Sequence, residues 1–82
     1  MPYFVYVLKD SAGNLYKGMT NDLKRRFNEH LQGQTRTTRS MHGLELVYSE
    51  KYDSLGEARK REKYLKTAAG RRFLKFNKNI RP

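Results

Sequence analysis

Side chains alternate between two faces with period two in the opening stretch YFVYVLKD, where Phe4, Tyr6 and Leu8 interleave with Tyr3, Val5 and Val7. Both sides are apolar, which predicts a strand covered on both faces. DSAGN follows with turn chemistry, Gly13-Asn14 being able to take positive φ, and LYKG returns as a short strand, so the two runs read as a β-hairpin. The period then changes. Leu23, Phe27 and Leu31 repeat at i, i+4 and i+8, which predicts a helix over about Asp22 to Leu31, capped by Thr20 or Asn21 and stopped at Gly33. GQTRTTRSMHG has no periodicity and reads as a mobile loop. LELVYSEKY alternates again and predicts a third strand. Ser54-Leu55-Gly56-Glu57 fits a capping box opening a second helix to about Lys66. AAG interrupts that helix, and RRFLKF is expected to form a short terminal helix that packs Phe73 and Phe76. The order β-β-α-β-α-α predicts an α+β fold, a small three-stranded antiparallel sheet with flanking helices.

Composition narrows the function classes. At 82 residues the chain is expected to be one domain, 1–82. It has no cysteine and two histidines, which excludes a disulfide framework, a cysteine-ligated zinc and a histidine-rich metal site. The first strand is far too short to span a bilayer and no signal pattern precedes it, so the expected location is cytoplasmic, without a membrane partner. The net charge of +10 favours a polyanionic partner, because neutralising phosphates releases counterions. From Arg59 to Pro82 ten Lys and Arg stand against one acid, Glu62.

That carboxylate is oddly placed. At about 100° per residue, Leu55, Ala58, Leu65 and Ala69 share one arc of the second helix, and Glu62 falls inside it. A buried carboxylate must be paired, hydrogen-bonded or metal-bound. Three readings stand for Glu62: an ion pair with Lys66 or with an arginine of the first helix, a metal or catalytic role, or a wet rim position. The first helix has a related anomaly, since Arg26 and His30 flank and share its apolar face. Asp22, Arg26 and His30 form an i, i+4, i+8 row in which Asp22 would orient Arg26. Lys24 and Arg25 point to solvent. Tyr6 and Tyr16 come from the hairpin, and packing with a satisfied hydroxyl is the ordinary role of a strand tyrosine. Together, however, tyrosine, arginine, glutamate and histidine form a phosphodiester constellation. Glutamate holds a hard cation, arginine offsets transition-state charge, and a phenol held by a cation works as a base.

FVYVL, the ten-residue step from Tyr6 to Tyr16, and YKG resemble the signature strands of the GIY-YIG nuclease superfamily. MTNDLKRRFNEH resembles its first helix, and SLGEARKREKYLK its glutamate helix. The resemblance covers roughly Tyr3 to Lys75 and is greatest to small, stand-alone bacterial members. It implies an endonuclease that hydrolyses phosphodiester bonds with a single divalent cation, Mg²⁺ or Mn²⁺. By position, Tyr6 and Tyr16 match the signature tyrosines, one of which would activate water. Gly18 matches the signature glycine, Arg26 the arginine that steadies the transition state, and Glu62 the metal-binding glutamate. His30 occupies a position where other members place histidine or tyrosine. The chain departs from the namesake triplets in reading Phe4-Val5-Tyr6 and Tyr16-Lys17-Gly18, and Met19 stands where repair-type members carry lysine.

The leading expectation is a structure-selective or weakly specific nuclease acting on DNA. Its phosphate grip would come from Lys17, Lys24, Arg25, Arg36, Arg39, Lys66 and the basic C-terminal stretch, with hydroxyls from Thr37, Thr38 and Ser40. Two alternatives stand beside it: a noncatalytic nucleic-acid-binding module of the same fold, and an accessory protein that docks on another enzyme.

Overall fold

The computed structural model describes residues 2–77. Its elements are β1 (Tyr3–Lys9), β2 (Leu15–Thr20), α1 (Leu23–Leu31), a single 3-10 turn (Arg36–Thr38), β3 (Glu45–Tyr52), α2 (Leu55–Leu65) and α3 (Ala68–Lys75). The strands form one antiparallel sheet in the order β2-β1-β3. β1 is therefore the middle strand, which explains why it is apolar on both sides: Val5, Tyr6, Val7 and Leu8 are all buried. The β1–β3 register slips between Val7 and Leu8, and Val47 is left without a partner as a bulge.

Asp10 organises the hairpin turn. Its carboxylate accepts the backbone N–H of Ala12 and Asn14 at 3.0 and 2.8 Å and the Asn14 amide at 3.1 Å. Gly13 has a φ of 89°, and among the described residues positive φ is confined to glycine, so Asn14 does not share that role.

Strand alternation divides the molecule into two layers. Val5 and Val7 face α2 and α3 and form a core with Ala58, Leu65 and Leu74, flanked by Leu15, Met19, Tyr48 and Tyr52. Burying each such Val or Leu side chain stabilises the fold by about 1.5–3 kcal/mol. Tyr6 and Leu8 face the other way, toward α1.

α2 opens at the expected capping box: Ser54 Oγ accepts the Glu57 N–H at 3.2 Å and donates to the Glu57 carboxylate at 3.1 Å. Three other expectations change. α1 is capped by Asp22, whose side chain accepts the Arg25 N–H, while Thr20 accepts the Asp22 N–H instead. Ala68-Ala69-Gly70 does not end a helix but begins α3, because Thr67 caps it, accepting the Gly70 N–H at 3.2 Å and donating to Tyr64 O at 2.6 Å. A Cβ at Gly70 would collide with Tyr64 O and Leu65 Cα, so glycine there lets α3 pack backbone to backbone on the end of α2. Third, the segment read as a mobile loop holds the 3-10 turn and the buried Thr38, and it docks on the hairpin through Ser11 N–H to His42 O at 2.8 Å. Lys78, Arg81 and the side chain of Thr37, all expected to touch a nucleic acid, lie outside the described residues.

Candidate functional site

The face of the hairpin turned toward α1 carries Tyr6 from β1 and Tyr16 and Gly18 from β2. The register sets Tyr6 opposite Gly18 and Leu8 opposite Tyr16. Gly18 is needed there for space: a Cβ would lie 2.5 Å from the Tyr6 oxygen and 2.6 Å from Cζ. The two phenol rings stand 6.3 Å apart between centroids. They differ in access, Tyr6 being 2% exposed and Tyr16 only half-buried. Burial pushes the Tyr6 phenol up to about 12; the Arg26 guanidinium opposes this and Tyr16 adds to it.

α1 presents a different face from the one its leucines suggest. Leu31 is 53% exposed, and the inward residue is His30, 2% exposed. The imidazole packs edge-on against Tyr6 and Tyr16, at centroid distances of 5.8 and 5.1 Å. Its Nε2 is 2.9 Å from the Tyr6 oxygen and its Nδ1 is 2.7 Å from Thr38 Oγ1. Burial, reinforced by Arg26, lowers the His30 pKa, with Glu29 partly offsetting it, so the ring is neutral at pH 7. Arg26, one turn before His30, donates from Nη1 to Glu29 Oε1 at 2.9 Å. Its pKa is raised by the Tyr6 hydroxyl first and by Glu29 second. The residue that orients Arg26 is thus Glu29 and not Asp22, which is occupied by the helix cap. Tyr6, Tyr16, Arg26 and His30 therefore meet on one side of the sheet.

Glu62 is carried by α2. α2 packs on the Val5 and Val7 side, and the described partner of the Glu62 carboxylate is Lys66, with Nζ to Oε2 at 3.5 Å. The carboxylate is 21% exposed, so it is partly wet as well as paired. Lys17 is half-buried on that same side, where burial and then Arg71 and Lys66 lower its pKa. Lys17, Lys66 and Arg71 thus lie close enough for their charges to repel, and Met19 is absorbed into the core. Among the described residues no three His, Asp or Glu side chains are grouped to hold a metal ion. A single carboxylate can still hold Mg²⁺, which keeps most of its waters and completes its shell with substrate phosphate oxygens.

Lys24, Arg25, Arg36 and Arg39 are exposed, as expected of a phosphate grip. Thr38 is not: at 1% exposure it is closed to substrate, and its hydroxyl is committed to His30. Glu29 was legible as an i, i+3 partner of Arg26. Nothing local marked Thr38, since its contact depends on the loop folding back over α1.

The family model for the GIY-YIG catalytic domain matches residues 2–78. UPF0213 proteins of Staphylococcus aureus strains Mu3 and N315 are each 38% identical over 77 residues, spanning 93% of this chain and 94% of theirs. A UPF0213 protein from Bacillus halodurans, solved by solution NMR, is 29% identical with a TM-score of 0.60, covering 96% of this chain and 87% of that one.

Proposed function

This chain belongs to the GIY-YIG catalytic domain family, and on that premise we propose that it is a divalent-metal-dependent endonuclease acting on DNA, with structure-selective or weak sequence preference. The observation that carries the reading is the meeting of Tyr6, Tyr16, Arg26 and His30 on one face of the hairpin, with Gly18 clearing the space above Tyr6. Tyr6 is sealed from solvent and its phenol is held far above neutral pH, so it stays protonated and positions its neighbours. Tyr16, the more accessible phenol, takes the role of base: as the phenolate it accepts the proton of the water that attacks phosphorus while the P–O bond to the leaving oxygen breaks. Arg26, fixed by Glu29, offsets charge building on the phosphoryl oxygens. Glu62 would hold Mg²⁺ or Mn²⁺, and a cation there supplies Lewis-acid stabilisation of the scissile phosphate. Lys17, Lys66 and Arg71 would draw that phosphate to the β2 edge, and Lys24, Arg25, Arg36 and Arg39 would hold the flanking backbone.

One observation favours a second reading, a noncatalytic DNA-binding module: the Glu62 carboxylate is paired with Lys66, Nζ to Oε2 at 3.5 Å. The test is to incubate the protein with branched DNA, linear DNA and RNA in Mg²⁺ or Mn²⁺, beside Glu62→Ala and Arg26→Ala. Metal-dependent cutting lost in both variants is expected, by roughly a hundredfold or more for Arg26→Ala. Tight binding by all three proteins with no cutting of any substrate would sink the enzyme and leave the binding module.

A further inference from the structure

The buried pair His30–Thr38 has a definite proton arrangement. Thr38 is 1% exposed, and among the described residues the one hydrogen-bond partner of its Oγ1 is His30 Nδ1 at 2.7 Å. The Thr35 hydroxyl nearby in the chain has no partner, so it is not an alternative acceptor for Thr38. A buried hydroxyl proton without an acceptor is costly, which leaves Nδ1 to receive it. In a neutral imidazole the ring proton must then sit on Nε2, 2.9 Å from the Tyr6 oxygen. We infer that Thr38 is a positioning residue that locks His30 as its Nε2–H tautomer, so that His30 donates to Tyr6 and the Tyr6 proton is not spent on His30.

The consequence is a one-way run of donors. Thr38 donates to His30 and His30 donates to Tyr6. Tyr6 accepts from Nε2, so its own O–H is left free of His30, and the neighbouring phenol on that face is Tyr16, its ring 6.3 Å away between centroids. In the opposite tautomer Tyr6 would spend its proton on Nε2 and offer Tyr16 only lone pairs, which disfavours a phenolate. A donor left free of His30 instead supports the charge that forms when Tyr16 takes up its role as base. This last step rests on the nuclease reading above, whereas the tautomer does not. The arrangement also links the basic loop to the site, because the 3-10 turn that supplies Thr38 lies between Arg36 and Arg39.

The test uses the full chain labelled with ¹⁵N. Long-range ¹H–¹⁵N correlation spectra near pH 8 report which nitrogen of His30 carries the proton. Wild type and Thr38→Ser are expected to show a protonated Nε2 and an unprotonated Nδ1. Thr38→Val keeps the shape but removes the donor, and is expected to shift His30 toward Nδ1–H or an exchanging mixture. Cleavage by Thr38→Val should fall roughly tenfold in kcat with KM unchanged, and Thr38→Ser should restore it. A wild-type His30 protonated at Nδ1 overturns the inference, whether or not the protein cuts DNA and whether or not Thr38→Val folds. So does an unchanged tautomer in folded Thr38→Val. If no variant cuts but the tautomers behave as stated, the positioning role stands and the nuclease reading alone falls.

Discussion

Tyr6 and Gly18 show how one position fixes another across a strand pair. Tyr6 keeps its hydroxyl on His30 only because its partner in the register has no side chain. Gly18→Ala is therefore expected to destabilise the fold by about 1–3 kcal/mol, the usual cost of overpacking, and to push the Tyr6 oxygen away from Nε2. Urea unfolding measures the first effect. An alkaline absorbance titration measures the second: wild type holds both the Tyr6 and the Tyr52 phenols at about 12, and the late absorbance change should shrink by one tyrosine in the variant. Because the folded value lies above that of an ordinary phenol, the Tyr6 contribution to stability is complete below pH 10 and disappears as pH rises through about 12. The tyrosines, Gly18, Arg26 and His30 could be singled out from spacing and resemblance. The direction of each proton could not, since it depends on Thr38 and Glu29 as much as on the residues themselves.

The elements are joined by a polar brace that the sequence pattern concealed. Glu50 on β3 accepts the Tyr48 hydroxyl, the Tyr52 hydroxyl at 2.6 Å, and Arg61 of α2 in a two-pronged pair at 2.9 and 3.0 Å. The same guanidinium lies 4.9 Å from the rings of Tyr64 and Phe73, so α2 and α3 are tied to β3 through one arginine. Burial works against the Glu50 charge, but Arg61, Tyr48 and Tyr52 together hold its carboxyl below the ordinary value of 4.5. A depressed carboxyl stabilises the fold above its unfolded pKa, and that contribution is lost as pH falls through the folded value. Glu50→Gln is expected to cost about 2 kcal/mol at pH 7, less than a fully buried pair because Arg61 remains partly wet. The gap from wild type should close below pH 4.5, as followed by urea unfolding across pH. Scanning for an anomalous carboxylate pointed to Glu62, the acid alone among cations. The more tightly held acid is Glu50, whose charged partner Arg61 comes from another element and leaves no mark in the strand itself. The helix starts show the same limit: Ser54 was legible because its box is local, while Thr67 was passed over because small residues after it read as a break.

At the scale of the whole molecule the net charge of +10 dominates. Lys24, Arg25, Arg36 and Arg39 are exposed, and no described helix is long and apolar enough to cross a membrane. Affinity for DNA should therefore fall linearly on a log–log plot against salt. Lys24→Gln combined with Arg25→Gln should reduce that slope by about two if both lysine and arginine meet phosphate. Fluorescence anisotropy over a salt series measures this, and an unchanged slope would remove both from the interface. By itself the sequence determined the strands, the order of the elements and the basic surface, because periodicity and charge are properties of neighbouring residues, and its signature segments carried the resemblance to the family. Only the tertiary structure decided that Arg26 answers to Glu29, that Thr38 is sealed against His30, and that Glu62 pairs with Lys66. Those outcomes depend on how layers stack and on which side chain reaches a buried partner first, and neither is set by distance along the chain.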